Sequence, residues 1–438
     1  MANVWPMPWP KTWKADMARN PEKRRRKAEV QAVETPVETP KARRQRKAAE
    51  VAEAPAAPVI TDPMDPRTPP SANGGWSETV QTVQGAYVVP TSGRGLVQVG
   101  GVFDADRGFV HQAVHWRRGR ALLEPIRPRR VPVDGAETLP GRWLWGGILL
   151  NHFGHFLTES TPRLWGLAAV DGPLDGILFL HKRNAEVIPL HSTFLRLMGH
   201  DLPIRVVEKV TRVEELHIPG QGFGIGRISA GTNRFREAFR TTFARDIAAD
   251  GPERLYISRS ALGPKRGGVI GEVFIEEHLA KHGYEVFHPQ HHPLEVQIAR
   301  YRAAKDIIAL DGSALHLAAF CAAPGQRVAM VRRRNSSVSK AIGIHLAAFT
   351  GRGADVIDAI QTDWVLKAKG NADRFSMGEL NMPELQQKLH ALGYIGDDAP
   401  WQPLDADWRD GQIARLRDEY RKDYIPLTRG AGVAEAAE

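Results

Sequence analysis

The sequence predicts an α/β protein, and three observations lead to this. Between residues 252 and 333, strand-like segments alternate with helix-like segments of about ten residues, the pattern of βαβ units in a parallel sheet. Shorter strand and helix patterns mix within residues 74–250. Near the middle of that region, the apolar run 144–150 is typical of a buried strand. Residues 74–250 are therefore expected to form an N-terminal mixed α/β domain, and residues 251–334 a Rossmann-like domain.

Residues 1–73 are predicted to be a disordered basic tail rich in proline and alanine. The first 50 residues contain 13 Lys or Arg and 6 Asp or Glu, which is +7 of the chain's net charge of +9. Such a segment cannot bury enough apolar surface to offset the entropy lost on ordering. The tail is suited to contact an anionic membrane surface, and an inert solvated tail is the alternative reading. Nucleic acid is the less favoured partner.

The composition is that of a soluble protein, with 42% hydrophobic and 25% charged residues. No apolar run reaches the length of about 18 residues needed to cross a bilayer. Pro6, Pro8 and Pro10 interrupt the first apolar residues, so no secretory signal is predicted. We expect a cytoplasmic protein, peripheral on the inner membrane face if the tail binds there. The single cysteine, Cys321, excludes an internal disulfide and is predicted to be a core residue.

Elements of the N-terminal domain follow from local periodicity and turn residues. Strands are predicted at residues 86–89, 96–99, 109–116, 176–181, 204–207 and 213–218. Helices are predicted at residues 187–198 and 233–249.

The second domain has the clearer pattern. Its strands are predicted at residues 254–258, 284–287, 306–310 and 327–331. Its helices are predicted at residues 272–282, 294–303 and 313–323. The remaining residues, 335–438, are expected to form a mostly helical extension.

The stretch after the central strand carries the first candidate site. Asn151 is placed to cap a helix, on which His155 and Glu159 are four residues apart and share a face. A histidine oriented by a carboxylate is one minimal arrangement for a general base. The alternative is a buried histidine that its helical neighbour merely satisfies. Pro162 is incompatible with a continuous helix, so the helix is expected to kink or restart at Thr161–Pro162.

A second candidate site lies in the Rossmann-like domain, where ligands bind beyond the carboxyl ends of the strands. The loop 311–316 follows a predicted strand and opens a helix. The backbone amides of Gly312, Ser313 and Ala314 are therefore placed to face an anion such as a phosphate. The alternative is that Ser313 only caps its helix.

Basic residues follow the first strand of the same domain. Arg259, Lys265 and Arg266 lie at the same edge of the sheet as Ser313. Arginine side chains bind phosphate oxygens in a bidentate manner, so a diphosphate would fit between the two loops. A solvated basic loop is the alternative.

Other motifs give weaker indications of function. His288, His291 and His292 have no cysteine partner and no known metal spacing, and they are interpreted as structural. The sequence lacks the Walker phosphate loop, the full dinucleotide-binding glycine motif, the nucleophile elbow and the zinc-protease helix. A dinucleotide-dependent enzyme is therefore disfavoured.

The order and separation of these residues resemble the family 61 glycosyltransferases, which include bacterial capsular polysaccharide enzymes. The resemblance extends over about residues 76–333. It rests on four ordered pieces, which are Asn151 with His155 and Glu159, Tyr256-Ile257-Ser258-Arg259 with Arg266, Gln297 before Asp306, and Gly312-Ser313-Ala314-Leu315.

Two positions depart from the family pattern. Asp311 stands where the family usually has a histidine before its glycine, which puts a histidine contact to the donor in doubt. The acidic residue usual before the glutamine is Val296, with Glu295 one place earlier.

The resemblance implies a GT-B-like fold of two Rossmann-like domains facing a cleft. It also implies an inverting hexosyl- or pentosyltransferase that moves a sugar from a nucleotide sugar to a hydroxyl of a glycan or polysaccharide, with no metal or other cofactor. The alternative function is a non-catalytic nucleotide-sugar-binding or scaffold protein whose basic tail binds nucleic acid or an anionic membrane. The implied site residues are His155 and Glu159 as catalytic, Arg259, Arg266, Gly312, Ser313 and Ala314 as donor-binding, and Asn151, Asp311 and His316 as supporting.

Overall fold

A computed structural model describes residues 63–93, 95–182, 186–263 and 266–428 of the chain. The described residues all belong to one compact unit. Most of the predicted tail, residues 1–62, lies outside them. Residues 63–73 pack on the fold, because the backbone amide of Trp76 donates to the carbonyl of Pro63 at 2.9 Å and its indole donates to that of Thr68 at 3.2 Å. The prediction of disorder is therefore wrong for residues 63–73.

The first half of the fold is built on a seven-stranded sheet. Its region contains the strands β1 (Val80–Ser92), β2 (Gln98–Phe103), β3 (Trp116–Arg117), β4 (Arg120–Ala121), β5 (Leu123–Glu124), β6 (Glu137–Leu149), β7 (Gly176–His181), β8 (Ile204–Val207) and β9 (Thr211–Pro219). The sheet order is β5-β2-β1-β9-β6-β7-β8. The strands β9, β6, β7 and β8 run parallel, whereas β1 is antiparallel to both neighbours, so the sheet is mixed. Its helices are α1 (Phe153–His155), α2 (Pro189–Leu197) and α3 (Asn233–Thr242).

Two predicted elements of this half have the wrong type of structure over part of their length. The strand expected at 109–116 is a single bridge at Phe109, a short helical turn and then β3. The buried side chain of Gln112 donates to the carbonyls of Thr79 and Ile218 there, in place of a strand ladder. The helix expected at 233–249 ends at Thr242, because Phe243 is extended and Ala244 adopts a left-handed conformation with φ 52°.

The second half is built on a five-stranded parallel sheet. The chain here forms β10 (Arg254–Ile257), β11 (Gly268–Val269), α4 (Glu272–Lys281), β12 (Glu285–Phe287), α5 (Leu294–Ala303), β13 (Asp306–Leu310), α6 (Ala314–Phe320) and β14 (Arg327–Val331). The parallel sheet has the order β12-β10-β13-β14-β15, with the last strand supplied by later residues. The predicted parallel sheet is confirmed.

The expectation of a mostly helical segment after residue 334 is wrong. That segment contains α7 (Val338–Thr350), β15 (Asp355–Ile357), β16 (Ile360–Leu366), β17 (Met377–Leu380), α8 (Met382–Ala391), α9 (Ala406–Tyr420) and β18 (Tyr424–Thr428). One strand, β15, extends the parallel sheet beside β14 and forms one of its edges. The others form a second sheet in the order β11-β17-β16-β18.

One hydrophobic core is shared by both halves. It runs from Leu144 in β6 to Phe349 in α7. Its centre is a cluster of phenylalanine rings, in which Phe239 and Phe320 from opposite halves lie 4.5 Å apart between centroids. Cys321 is buried in this core, which confirms its predicted place. The arrangement of two Rossmann-like domains facing a cleft, and the domain boundary near residue 250, stay predictions.

None of the helices in the described residues combines the length and the apolar character needed to cross a membrane.

Candidate functional site

The order of the parallel sheet defines where a ligand is expected. The strands β10 and β13 are neighbours, and the chain leaves them towards opposite sides of the order, to β12 and to β14. In doubly wound sheets of this order, ligands bind at the carboxyl ends of the two strands at this switch point. Arg259 follows β10 and Asp311 follows β13. The two loops predicted to hold a phosphate therefore meet at the switch point.

The helical stretch after β6 is short and irregular. It begins at Phe153, widens to a π-helical turn over Phe156–Ser160, and a new helical turn starts at Leu164. The predicted break near Thr161–Pro162 is confirmed. The predicted cap is wrong, because His152 directly precedes the helix and no side chain caps it. Asn151 lies one residue too early for that position and is exposed.

His155 and Glu159 are in direct contact, as their spacing predicts. The distance from His155 Nδ1 to Glu159 Oε2 is 2.5 Å. Glu159 is buried, at 2% exposure, whereas 40% of the His155 side chain is exposed. The carboxylate is thus inside the protein and the imidazole faces outward from it.

Arg117 and His115, two residues that sequence reasoning missed, complete the surroundings of Glu159. Arg117 Nε donates to Glu159 Oε1 at 2.6 Å and Nη2 donates to Oε2 at 2.5 Å, a bidentate pair. His115 Nε2 lies 3.5 Å from Oε1. Arg117 lies in β3 and His115 directly precedes that strand, and the basic run His115-Trp116-Arg117-Arg118 is the signal that the sequence offers.

These contacts keep Glu159 ionised. Burial by itself would raise its pKa, but the neighbouring His115 and the hydrogen bonds with His155 and Arg117 hold the pKa of Glu159 well below its usual range. A carboxylate beside Nδ1 requires a proton on that nitrogen, since two lone pairs would repel each other. The imidazole then carries its free lone pair on Nε2, although Arg117 Nη2 also lies 3.0 Å from Nδ1. His155 is therefore set up to accept a proton, with Glu159 as its orienting anion.

Glu272 holds the loop after β10 in place through hydrogen bonds. This carboxyl accepts from the backbone amide of Arg259 at 2.7 Å and from the hydroxyl of Tyr256 at 3.1 Å. Arg259 Nη2 donates to the carbonyl of Arg266 at 3.1 Å. Burial raises the pKa of Glu272 to about 7, in spite of these hydrogen bonds.

Replacing Glu272 with glutamine should flatten part of the dependence of stability on pH. The folded pKa of about 7 exceeds the unfolded value of 4.5, so the contribution of Glu272 is fully present below pH 4.5 and is lost as the pH rises through 7. Between pH 5 and 8 the variant should gain up to about 3 kcal/mol relative to wild type. Urea unfolding at both pH values measures this. Glu277→Gln, an exposed position on the same helix, is the control, and equal pH slopes in all three proteins would contradict the assignment.

The loop after β13 presents unbonded backbone amides. In the described part of the chain, no acceptor pairs with the amides of Gly312, Ser313 or Ala314. Ser313 stands at the cap position of α6, yet its side chain makes no capping hydrogen bond. The reading of Ser313 as a simple helix cap is therefore not supported. Arg259 lies over this loop, because a Cβ built on Gly312 would be 2.9 Å from Arg259 Nη1.

The helix with His155 packs directly on this loop. A Cβ built on Gly154 would be 2.8 Å from that of Ser313, so only glycine permits the observed approach. Desolvation, together with the charges of His155, Arg266, Arg374 and Arg259, lowers the pKa of His152 to about 4. The helix with His155, from the first half of the fold, thus lies next to the arginines and the loop of the second half.

Two of the predicted supporting residues, Asp311 and His316, belong to the loop after β13 and to its helix. His316 Nδ1 is 2.9 Å from Nδ1 of the buried His345, and burial followed by the charge of His155 lowers the pKa of His316 to about 4. The buried Asp311 faces Arg333, whose Nε is 3.1 Å from Oδ1. Asp311 is therefore engaged within the protein, which explains how the loop accommodates it in place of a histidine.

The remaining motifs are structural. Gln297 donates to the carbonyls of Pro289 and His292, both at 2.9 Å, and so fixes the loop that carries the three histidines. No group of three or more His, Cys, Asp or Glu side chains in the described residues is arranged to hold a metal ion.

Comparison with known proteins gives one family. No curated protein matches the chain. A family model described as Glycosyltransferase 61 matches residues 153–329, from the first residue of α1 to within β14. This segment contains His155, Glu159, Arg259 and the loop at Gly312, whereas Arg117 and Arg333 lie outside it. Glycosyltransferases of this kind use a nucleotide-sugar donor and a glycan acceptor, and the chain carries a glycosyltransferase family 61 domain at residues 153–329.

Proposed function

We propose that the protein transfers a sugar from a nucleotide sugar to a hydroxyl of a glycan or polysaccharide, with inversion at the anomeric carbon. The observation that carries this is the contact of Gly154 with Ser313. It sets a histidine oriented by a buried carboxylate against a loop of free amides and arginines at the switch point of a parallel sheet. A proton acceptor next to an anion site is what a glycosyl transfer to an alcohol requires.

The proposed reaction is a single displacement. His155 Nε2 takes the proton of the acceptor hydroxyl while that oxygen forms a bond to the anomeric carbon. The bond from this carbon to the phosphate oxygen breaks, and the nucleoside diphosphate leaves with the bonding electrons. Glu159 stabilises the imidazolium that forms, as the anion already hydrogen-bonded to Nδ1.

Residues that follow strands of the parallel sheet supply the stabilisation of the leaving group. Negative charge develops on the diphosphate as the bond breaks, and preorganised donors near that charge lower the barrier. We assign this role to Arg259, Arg266 and the amides of Gly312 to Ala314. Cytoplasmic location, a capsular polysaccharide product and contact with the inner membrane face through the basic tail stay predictions.

A screen of nucleotide sugars tests the function. Each donor is incubated with the full chain, with and without glycan acceptors, and release of nucleoside diphosphate is measured. Transfer or slow donor hydrolysis with one donor is the expected result. Binding without turnover of any donor would favour the alternative, a non-catalytic nucleotide-sugar-binding protein.

Replacing Arg259 with methionine should weaken the binding of nucleoside diphosphates about tenfold or more, since a hydrogen bond to a charged group contributes roughly 1.5–3 kcal/mol. Titration calorimetry with UDP, GDP and CDP measures this. Arg254→Met is the control, because Arg254 lies at the opposite end of β10 and pairs with Asp306. Unchanged affinity in Arg259→Met would count against the assigned cleft.

A further inference from the structure

Two buried arginines directly after β14 carry side-chain donors that have no acceptor. Arg333 is 6% exposed and Arg334 is 5% exposed. Arg333 uses Nε to bind Asp311, but its buried Nη1 has no hydrogen-bond partner. For Arg334, the described part of the chain offers neither a hydrogen bond nor an ion pair, and its buried Nε is without an acceptor.

Such donors are uncommon inside proteins. A guanidinium group carries five N–H donors, and burying them without acceptors costs several kcal/mol. Unpaired buried polar groups in a native structure call for a specific explanation, of which a missing ligand is one.

The two arginines lie at the anion site. The register pairs Leu310 with Val331, so the residues after β13 and β14 leave the sheet at the same edge. The backbone amide of Arg333 lies 3.3 Å from Asp311 Oδ1. Its Nη1 would be 2.9 Å from a Cβ built on Gly267, whose carbonyl lies 3.5 Å from Arg259 Nη2.

Arg334 directly follows Arg333 in the chain, and its charge acts on the same groups. Burial lowers the pKa of Arg333 to about 9, and the charges of Arg259 and Arg334 act in the same direction, against Asp311. Arg334 also adds to the lowering of the pKa of Arg259. Three guanidinium groups thus stand close together. Three buried carboxyls lie near them. Asp311 pairs with Arg333 itself through Oδ1, and its Oδ2 has no hydrogen-bond partner in the described residues. Glu272 accepts from the backbone amide of Arg259, and Asp363, on which the charge of Arg334 acts, accepts from that of Asn335.

We propose that Arg333 and Arg334 form the inner wall of the anion site and bind the diphosphate of the donor through these unpaired N–H groups. The assignment rests on the proposed function and extends the site beyond the segment that matches the family. It accounts for the buried N–H groups of Arg333 and Arg334 that have no acceptor in the described residues. Arg259 and Arg266 then hold the same diphosphate from the outer side.

Inorganic pyrophosphate is the probe, because it is common to all nucleoside diphosphates. Arg334→Met should bind pyrophosphate about tenfold or more weakly by titration calorimetry. Its melting temperature without ligand should equal or exceed that of wild type, because the guanidinium loses no partner in the described residues. A purely structural arginine would give the opposite pattern.

Arg332→Met is the matched control. It removes the same charge from the same turn, but both terminal nitrogens of Arg332 are paired, Nη1 with Asp358 at 2.6 Å and Nη2 with Asn335 at 3.0 Å, and only its Nε has no partner in the described residues. This variant should lose thermal stability and keep its affinity for pyrophosphate. Equal weakening in both variants would reduce the effect to general charge and overturn the proposal.

The conservative variant Arg334→Lys decides the case if Arg334→Met folds poorly. Lysine keeps the charge but has a single nitrogen, so the proposal predicts weakened binding with a folded protein. Wild-type affinity in Arg334→Lys overturns it.

Failure of the inference and failure of the function are distinguishable. If wild type binds pyrophosphate through Arg334 but turns over no nucleotide sugar, the anion site stands and the transferase activity is wrong. If wild type transfers sugar and Arg334→Met binds pyrophosphate normally, the activity stands and the inner wall is wrong.

Discussion

Replacing His155 with alanine is expected to slow sugar transfer by about 100- to 10,000-fold, the usual contribution of a general base. Glu159 occupies Nδ1, so Nε2 is the nitrogen left to take the acceptor's proton, and alanine removes it. Binding of the leaving nucleoside diphosphate should stay close to that of wild type, because the residues proposed to bind it follow strands of the parallel sheet. Initial rates of transfer and calorimetric affinity for UDP, GDP or CDP measure the two effects separately.

A matched control is His390→Ala. This histidine lies on α8, is about half exposed, and pairs with Asp397. It should transfer at the wild-type rate. Intact transfer in His155→Ala would remove His155 from the mechanism, whereas lost diphosphate binding would move it into the donor site.

Replacing Glu159 with glutamine is expected to cost about 3 kcal/mol of unfolding free energy, near the lower end for a broken buried ion pair. The carboxylate is 2% exposed and receives two hydrogen bonds from Arg117, which would lose its counter-ion. The loss is limited because the Arg117 side chain remains 25% exposed and can be partly hydrated. Urea unfolding at pH 7 measures it.

The sign of the pH dependence gives a second test of the same variant. The folded pKa of Glu159 lies below the unfolded value of 4.5, so its stabilisation is present above pH 4.5 and is lost as the pH falls below that value. The difference between wild type and Glu159→Gln should therefore shrink in acid. Glu137→Gln breaks an exposed pair with Arg205 and should cost under about 1 kcal/mol. Equal losses in the two variants would refute a buried ion pair at Glu159.

Local sequence was sufficient to predict the contact between His155 and Glu159. Helical spacing alone brings residues four apart onto one face, and the structure joins them. The partners Arg117 and His115 are about 40 residues earlier, in and directly before the two-residue strand β3. The position of such a short strand depends on tertiary packing. The spacing of residues along a helix or strand does not predict a contact over such a distance in the chain.

The fold shows the same difference between local patterns, which the sequence reveals, and long-range pairings, which it does not. The parallel strands of the second half are buried on both faces and give continuous apolar runs, which sequence patterns reveal. After residue 334, β16 pairs with the distant β18 and β17 pairs with the distant β11. Local patterns do not reveal such pairings, and the prediction of a mostly helical segment is wrong there. Asn151 was misjudged because a cap must stand at one particular position, and the helix begins two residues later.

The short strand β11 has a consequence for how much of the chain the activity needs. Gly268 and Val269 pair with Met377 and Gly378, so the loop with Arg259 and Arg266 runs from one sheet to another. The second sheet is completed by residues well beyond the segment that matches the family. The segment that matches the family is therefore shorter than the part of the fold that supports the site. A chain ending at residue 329 would keep most of the recognisable motifs and lose one of the two supports of its basic loop.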